Sequence, residues 1–174
     1  MMQVSHEQHR AENNKRTYPL RMLLLDIKLP ENVGSMFRIA DALGVEHLYL
    51  AGETLAPPNK KVKKVARSCD QYVSFSKELD ADACVERLKG EGWKIISIEH
   101  CTNSVALNDV SLDGGAPICL VLGSETQGVD ESVLLNSDAI VHIPMLGENA
   151  SMNVANAAAI CTYVLSQQFE NEMN

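Results

Sequence analysis

At 174 residues the chain has the length of one domain, and a domain of that size buries roughly two-thirds of its extended surface, so it needs no disulfide or metal staples. A composition 45% hydrophobic and 22% charged excludes a mainly disordered chain, and no apolar run is long enough for a signal peptide or a membrane span, so the cytoplasm is the expected compartment. The formal charge of −8 argues against phosphate binding by the chain as a whole, and five scattered cysteines with neither a CxxC pair nor histidines at ligand spacing read as incidental thiols rather than a metal site.

In chain order, MLLLDI at 22–27 reads as a buried strand, followed by a helix at 32–43 and a second strand, HLYLA, at 47–51. Residues 60–67 read KKVKKVAR, a dense basic run in an acidic chain; by itself it is a solvated helix face or a phosphate footing. YVSF at 72–75 is a weaker strand, and a helix is expected at 78–90. KIISI at 94–98 and ICLVL at 118–122 are buried strands, a helix follows at 130–136, and AIVHI at 139–143 is the last strand. From Ser151 the alanine-rich run SMNVANAAAICTYVLSQQF predicts a helix apolar on most sides, suited to packing on more than one surface or to a dimer interface. The alternation predicts an α/β domain, a parallel sheet with helices on both faces.

Ligands of open parallel sheets bind beyond the carboxyl ends of the strands, and three segments there carry unusual residues. PENVGSMFRIADALG follows the first strand. Asn32 is a natural N-cap, Gly44 a natural stop, and Val33, Met36, Phe37, Ala40 and Leu43 share one face, which points Arg38 away from the core. LVLGSETQGV follows the strand at 118–122, with Gly123 and Gly128 bracketing Ser124, Glu125, Thr126 and Gln127; it is not GxGxxG, which argues against a nicotinamide cofactor. IPMLGENASMNVANAAAI follows the last strand, and Ser151 is expected to cap the final helix with Asn153 in its first turn. Each segment alone is as well explained by capping, a tight turn or an exposed charge.

Together the segments N-x-G-x-x-x-R, L-G-S-E-x-x-G and I-P-M…S-M-N-V-A-x-A-A-A resemble, in order and spacing, motifs 1, 2 and 3 of the TrmH-like (SpoU) methyltransferases of the SPOUT superfamily. The resemblance runs from about Leu23 to Val164. It implies a flexible segment at 1–18, a methyltransferase domain at 19–170 whose C-terminal part forms a deep trefoil knot, and a homodimer. It further implies transfer of a methyl group from S-adenosyl-L-methionine to a ribose 2′-hydroxyl of RNA; the lean size of the domain favours tRNA slightly over rRNA. Asn32, Arg38, Glu125, Ser151 and Asn153 are carried over as catalytic, with Asn32 and Glu125 expected to orient Arg38. Glu99, Gly123, Ile143, Met145, Leu146 and Met152 are expected to contact the cofactor. Basic terminal extensions that several members use to grip RNA are missing, so Lys60, Lys61, Lys63, Lys64 and Arg67, together with Arg16 and Arg21, become the expected RNA footing. The competing readings are an RNA-binding protein that keeps the fold without turnover and a base methyltransferase of another branch.

Overall fold

The structure, a computed structural model, describes residues 16–110 and 115–173, so most of the segment expected to be flexible, 1–18, lies outside the described residues. Seven strands, β1 (Leu20–Leu25), β2 (His47–Ala51), β3 (Ser74–Glu78), β4 (Lys94–Ile98), β5 (Val105–Ala106), β6 (Ile118–Leu122) and β7 (Ala139–His142), form one sheet in the order β3-β2-β1-β6-β4-β7-β5. Every pairing between these strands is parallel. The helices are α1 (Pro30–Ala42), α2 (Lys60–Ala66), α3 (Ala81–Gly90), α4 (Glu131–Leu135) and α5 (Val154–Met173).

Alternation along the strands sorts the core into two layers. Leu20, Met22 and Leu24 of β1 bury against α1, α2 and α5 through Val33, Met36, Phe37, Val62, Ala158 and Leu165. Leu23 and Leu25 of the same strand face Cys84, Val85, Leu88 and Val133 of α3 and α4. The expected two-sided α/β arrangement is therefore observed. The cysteines are all free, and burial pushes the Cys84 thiol up to about 11 and the Cys161 thiol up to about 12, as befits packing groups.

Several boundaries moved for local reasons. β1 ends at Leu25 because Asp26 adopts φ +53, its Oδ1 accepting the Glu53 N–H at 2.7 Å. The expected strand at 72–75 shifts to Ser74–Glu78, because the Tyr72 and Val73 amides close a 3-10 turn onto the Cys69 carbonyl, at 3.0 and 2.9 Å, and cannot enter the ladder. α1 begins at Pro30, two residues before the expected cap, since proline fixes its own φ and has no N–H to satisfy. Asn32 is thus not a cap but lies within the first turn, 5% exposed. Gly44 does stop this helix: with φ +69 it lets the Val45 N–H return to the Ala40 carbonyl at 3.0 Å, a Schellman closure.

α2 is short and held by its neighbours. Asn59 Oδ1 accepts from the Lys61 and Val62 amides at 2.9 and 3.2 Å, and α2 packs on α1 at Gly34, where an added Cβ would stand 2.5 Å from Val65 Cβ and 3.0 Å from the Val62 carbonyl oxygen. Gly34→Ala is therefore expected to cost about 1–3 kcal/mol by forcing the two helices apart. A denaturant titration checks this, and an unchanged midpoint would mean that α2 is not pinned there.

Candidate active site

β1, β2 and β3 progress outward on one side of the sheet, whereas the chain then crosses to β4 and returns with β6 beside β1. The strand order reverses between β1 and β6, where open α/β sheets place their ligands. The first turn of α1 and the 123–128 turn meet at this point, and the start of α5 arrives there from β7.

The polarity of their contact is set by α5. Its first amides, on Ala155 and Asn156, donate to Asn153 Oδ1 at 2.9 and 3.3 Å, so Asn153 is the cap of this helix and the expectation of Ser151 in that role is corrected. With its oxygen occupied, Asn153 offers Nδ2, which donates to Asn32 Oδ1 at 3.0 Å. Asn32 then has only its own Nδ2 left, and this donates to the Glu125 carboxylate. Three polar residues far apart in sequence become one directional chain ending on an acceptor-only group.

Beside it opens a cavity of about 870 Å³, inside the range of about 300–1,000 Å³ common for small-molecule sites. Its walls come from the segments after β4, β6 and β7, with Ile98, Leu122, Ile143, Met145, Val154 and Ala157 supplying apolar surface and Glu99, Ser124, Glu125, Ser151 and Asn153 supplying polar atoms. Among the described residues two carboxylates and no Lys or Arg border it, which suits a cationic ligand with an apolar ring and opposes a phosphate-bearing one. Gly123 lies so close to the returning turn that an added Cβ would stand 2.0 Å from the Gly128 carbonyl carbon. Among the described residues no group of three His, Cys, Asp or Glu could hold a metal ion.

The expected site residues divide. Asn32, Glu125 and Asn153 form the hydrogen-bonded chain, and Ser151 borders the cavity without capping α5. Glu99, Gly123, Ile143, Met145 and Met152 line the cavity, whereas Leu146 is fully exposed and outside it. Arg38 is exposed on α1, does not border the cavity, and is not held by Asn32 or Glu125, which pair with each other instead. Lys60, Lys61, Lys63, Lys64 and Arg67 are all exposed along α2 and its end. Arg21 departs from the expected footing: its guanidinium lies 3.8 Å over the Trp93 ring, hydrogen-bonds Tyr49 at 2.8 Å and pairs with Glu46 at 2.6 Å, so it is spent inside the fold. Arg16 is paired with Glu170 at 3.5 Å. Not anticipated from sequence were His142, whose Nδ1 lies 2.9 Å from Ser104 Oγ, and His100, whose ring centroid is 5.0 Å from that of His142 with the rings tilted by 37°; both border the cavity. A histidine at the end of a strand carries no sequence signal that separates it from a surface residue.

A parallel α/β sheet with a cavity built from loops at its carboxyl edge defines a small-molecule-binding enzyme class, and the comparisons with known proteins narrow it. The profile described as the SpoU rRNA Methylase family matches residues 19–163, and the chain belongs to that family. It is 30% identical over 165 residues to the 23S rRNA (guanosine-2'-O-)-methyltransferase RlmB of Blochmanniella floridana, covering 94% of this chain and 64% of that protein. Among solved structures it is similar to the TrmH/SpoU tRNA modifying enzyme of A. aeolicus, at TM-score 0.79 and 27% identity, covering 91% of this chain and 79% of the other. It also shares the fold of the SpoU methyltransferase AviRb from Streptomyces viridochromogenes, solved in complex with AdoMet, at TM-score 0.79 and 22% identity, covering 98% of this chain and 67% of that one. The chain spans 56–64% of the length of the first curated relatives.

Proposed function

We propose that this chain transfers a methyl group from S-adenosyl-L-methionine to a ribose 2′-hydroxyl of RNA, tRNA in preference to rRNA, as a cytoplasmic homodimer. The observation that carries the reading is the cavity bordered by carboxylates, with no Lys or Arg among the described residues that line it, directly beside the Asn32–Glu125–Asn153 chain. Family membership supports the reaction. The relatives named above are named for rRNA in one case and for tRNA in another, and a domain of this size suits a structured tRNA. Among the described residues no helix is long and apolar enough to cross a membrane.

Gly123, Ile143, Met145 and Met152 would hold the cofactor, with Glu99 and Leu146 as further candidates. S-adenosylmethionine supplies an electrophilic methyl group on a positively charged sulfur. The apolar walls exclude water from that group, and the Glu125 carboxylate complements its charge. Asn153 and Asn32 hold Glu125 in place, and Ser151 lies where a ribose would approach. Arg38 would grip an RNA phosphate or the developing alkoxide. A guanidinium stays protonated, so the hydroxyl proton leaves to a phosphate or to water rather than to Arg38. Because Arg38 stands outside the cavity of its own chain, it would serve the site of a second copy. An apolar surface for that copy exists on α5, where Ile160 and Tyr163 are 40% and 55% exposed.

The C-terminal third would be threaded as a deep trefoil knot. β7 is inserted between β4 and β5, so the chain linking β4 to β5 passes around a strand formed later in sequence, which supports such threading.

Lys60, Lys61, Lys63, Lys64 and Arg67 would bind phosphates. Replacing the four lysines by alanine should raise the apparent KM for RNA and flatten its salt dependence, each lost phosphate contact lowering the slope by roughly 0.7–0.9. An unaltered slope would leave α2 a solvated face. The reading as a whole is tested by incubating the protein with methyl-labelled cofactor and tRNA or rRNA in the presence of a chelator. Label should enter RNA, and no incorporation into either would defeat the proposal.

A further inference from the structure

Glu99 borders the cavity, yet both oxygens of its carboxylate are already engaged by backbone. Oε2 accepts the Val129 N–H at 3.0 Å, and Oε1 accepts the His100 N–H at 3.0 Å. The turn it touches is shaped to admit it. Gly128 sits at φ +71, and an added Cβ there would stand 2.3 Å from Glu99 Oε2. The opposite side of the same turn is closed by Ser124, whose carbonyl accepts the Gly128 N–H at 2.9 Å and whose Oγ accepts the Gln127 N–H at 3.1 Å. Between these two anchors the turn projects Glu125, the end of the hydrogen-bonded chain from Asn153 and Asn32.

We infer that Glu99 is a positioning residue: its carboxylate clamps the 123–129 turn from the end of β4, with Gly128 leaving the space that receives it, and so holds Glu125 within reach of Asn32. The inference rests on the methyl-transfer reading only for its effect on rate; the clamp is a property of the protein alone. A side chain that instead served as a direct charge partner for the cofactor would act through its negative charge. A clamp acts through the oxygen that accepts the Val129 N–H; glutamine keeps one such acceptor at the cost of the bond from the His100 N–H, and alanine keeps none.

Amide hydrogen exchange on the full chain without ligands tests the clamp directly. Glu99→Ala should speed Val129 amide exchange by roughly tenfold or more, while Glu99→Gln should keep most of the protection. Turnover carries the second arm. Glu99→Ala should lower kcat by roughly tenfold to a hundredfold through displacement of the turn, and Glu99→Gln should recover most of it. Adding Gly128→Ala should cost less in the Glu99→Ala background than in the native chain, because the group its Cβ strikes is gone. Unchanged Val129 exchange in Glu99→Ala, losses that simply add, or a glutamine variant as impaired as alanine would each overturn the clamp. A native chain that transfers no methyl group would overturn the proposed function instead, and Val129 exchange would still decide the clamp.

Discussion

Asn32→Asp should lower methyl transfer by at least roughly a hundredfold while leaving the chain folded, the largest loss expected from so small a change. The substitution keeps the side-chain shape and removes one donor. Asn153 can still donate to it, because either carboxylate oxygen accepts, but nothing remains to donate to Glu125, and two carboxylates now face each other in a site where residue 32 is only 5% exposed. Burial and repulsion from the neighbouring carboxylate favour a proton on the new carboxylate at position 32, so its folded pKa should rise above its unfolded value. The stability penalty should then be small at low pH, where an O–H donates in place of the lost N–H, and should grow as pH rises through the raised pKa. A compensating change separates structure from chemistry. Adding Glu125→Gln restores a donor on the other side, so Asn153 and the new amide at position 125 both donate to the new carboxylate at position 32, and stability should return. If activity returns with it, the chain of hydrogen bonds matters only for order; if it does not, the carboxylate at 125 takes part in the reaction. An Asn32→Asp chain as active as the native one at neutral pH would remove this network from the mechanism.

Arg38→Ala is expected to be comparably damaging for a different reason. Its side chain is exposed and lies outside the cavity, so deleting it should change stability by only a few tenths of a kcal/mol and leave cofactor affinity nearly intact. Methyl transfer should nevertheless fall by at least roughly a hundredfold if the guanidinium stabilises charge on the nucleophile. Arg38→Lys should recover only part of the rate, since an ammonium keeps the charge but loses the planar fork that holds two oxygens. On the proposed reading Arg38, standing outside the cavity of its own chain, would act on the cavity of a second copy. Mixing Arg38→Ala chains with Asn32→Asp chains should therefore rebuild one intact site in each mixed dimer, giving up to roughly a quarter of native activity under random exchange. Mixtures no more active than either parent would place Arg38 and Asn32 in the service of the same chain's site, or of none.

Much of the fold was legible because it is written in short-range patterns. The buried strands at 47–51, 94–98 and 118–122 are short, mostly apolar runs, and Gly44 ends α1 through a left-handed conformation that glycine tolerates better than other residues. What was not legible depends on partners distant in sequence. Asn32 looks like a cap from its neighbours alone; its actual partners, Glu125 and Asn153, are 93 and 121 residues away. Ser151 and Asn153 are both good caps, and only the path of the loop after β7 chooses between them. β5 is two residues long and has no pattern to read. Arg21 looked like a free cation because sequence does not show that Trp93 and Glu46 enclose it. Glu99 was marked by the family resemblance as a cofactor contact, but its backbone partner at Val129 has no signature in residue identity.

The central claim, methylation of a ribose hydroxyl rather than of a base, rests on a chemical difference that one measurement reads. Alkaline cleavage of RNA needs a free 2′-hydroxyl, so a methylated ribose protects the adjoining linkage, whereas a methylated base does not. RNA labelled by the native chain from methyl-labelled cofactor should, after complete alkaline hydrolysis, carry its label in alkali-resistant dinucleotides that yield a 2′-O-methylnucleoside. Label recovered only in mononucleotides would contradict the account and make this chain a base methyltransferase.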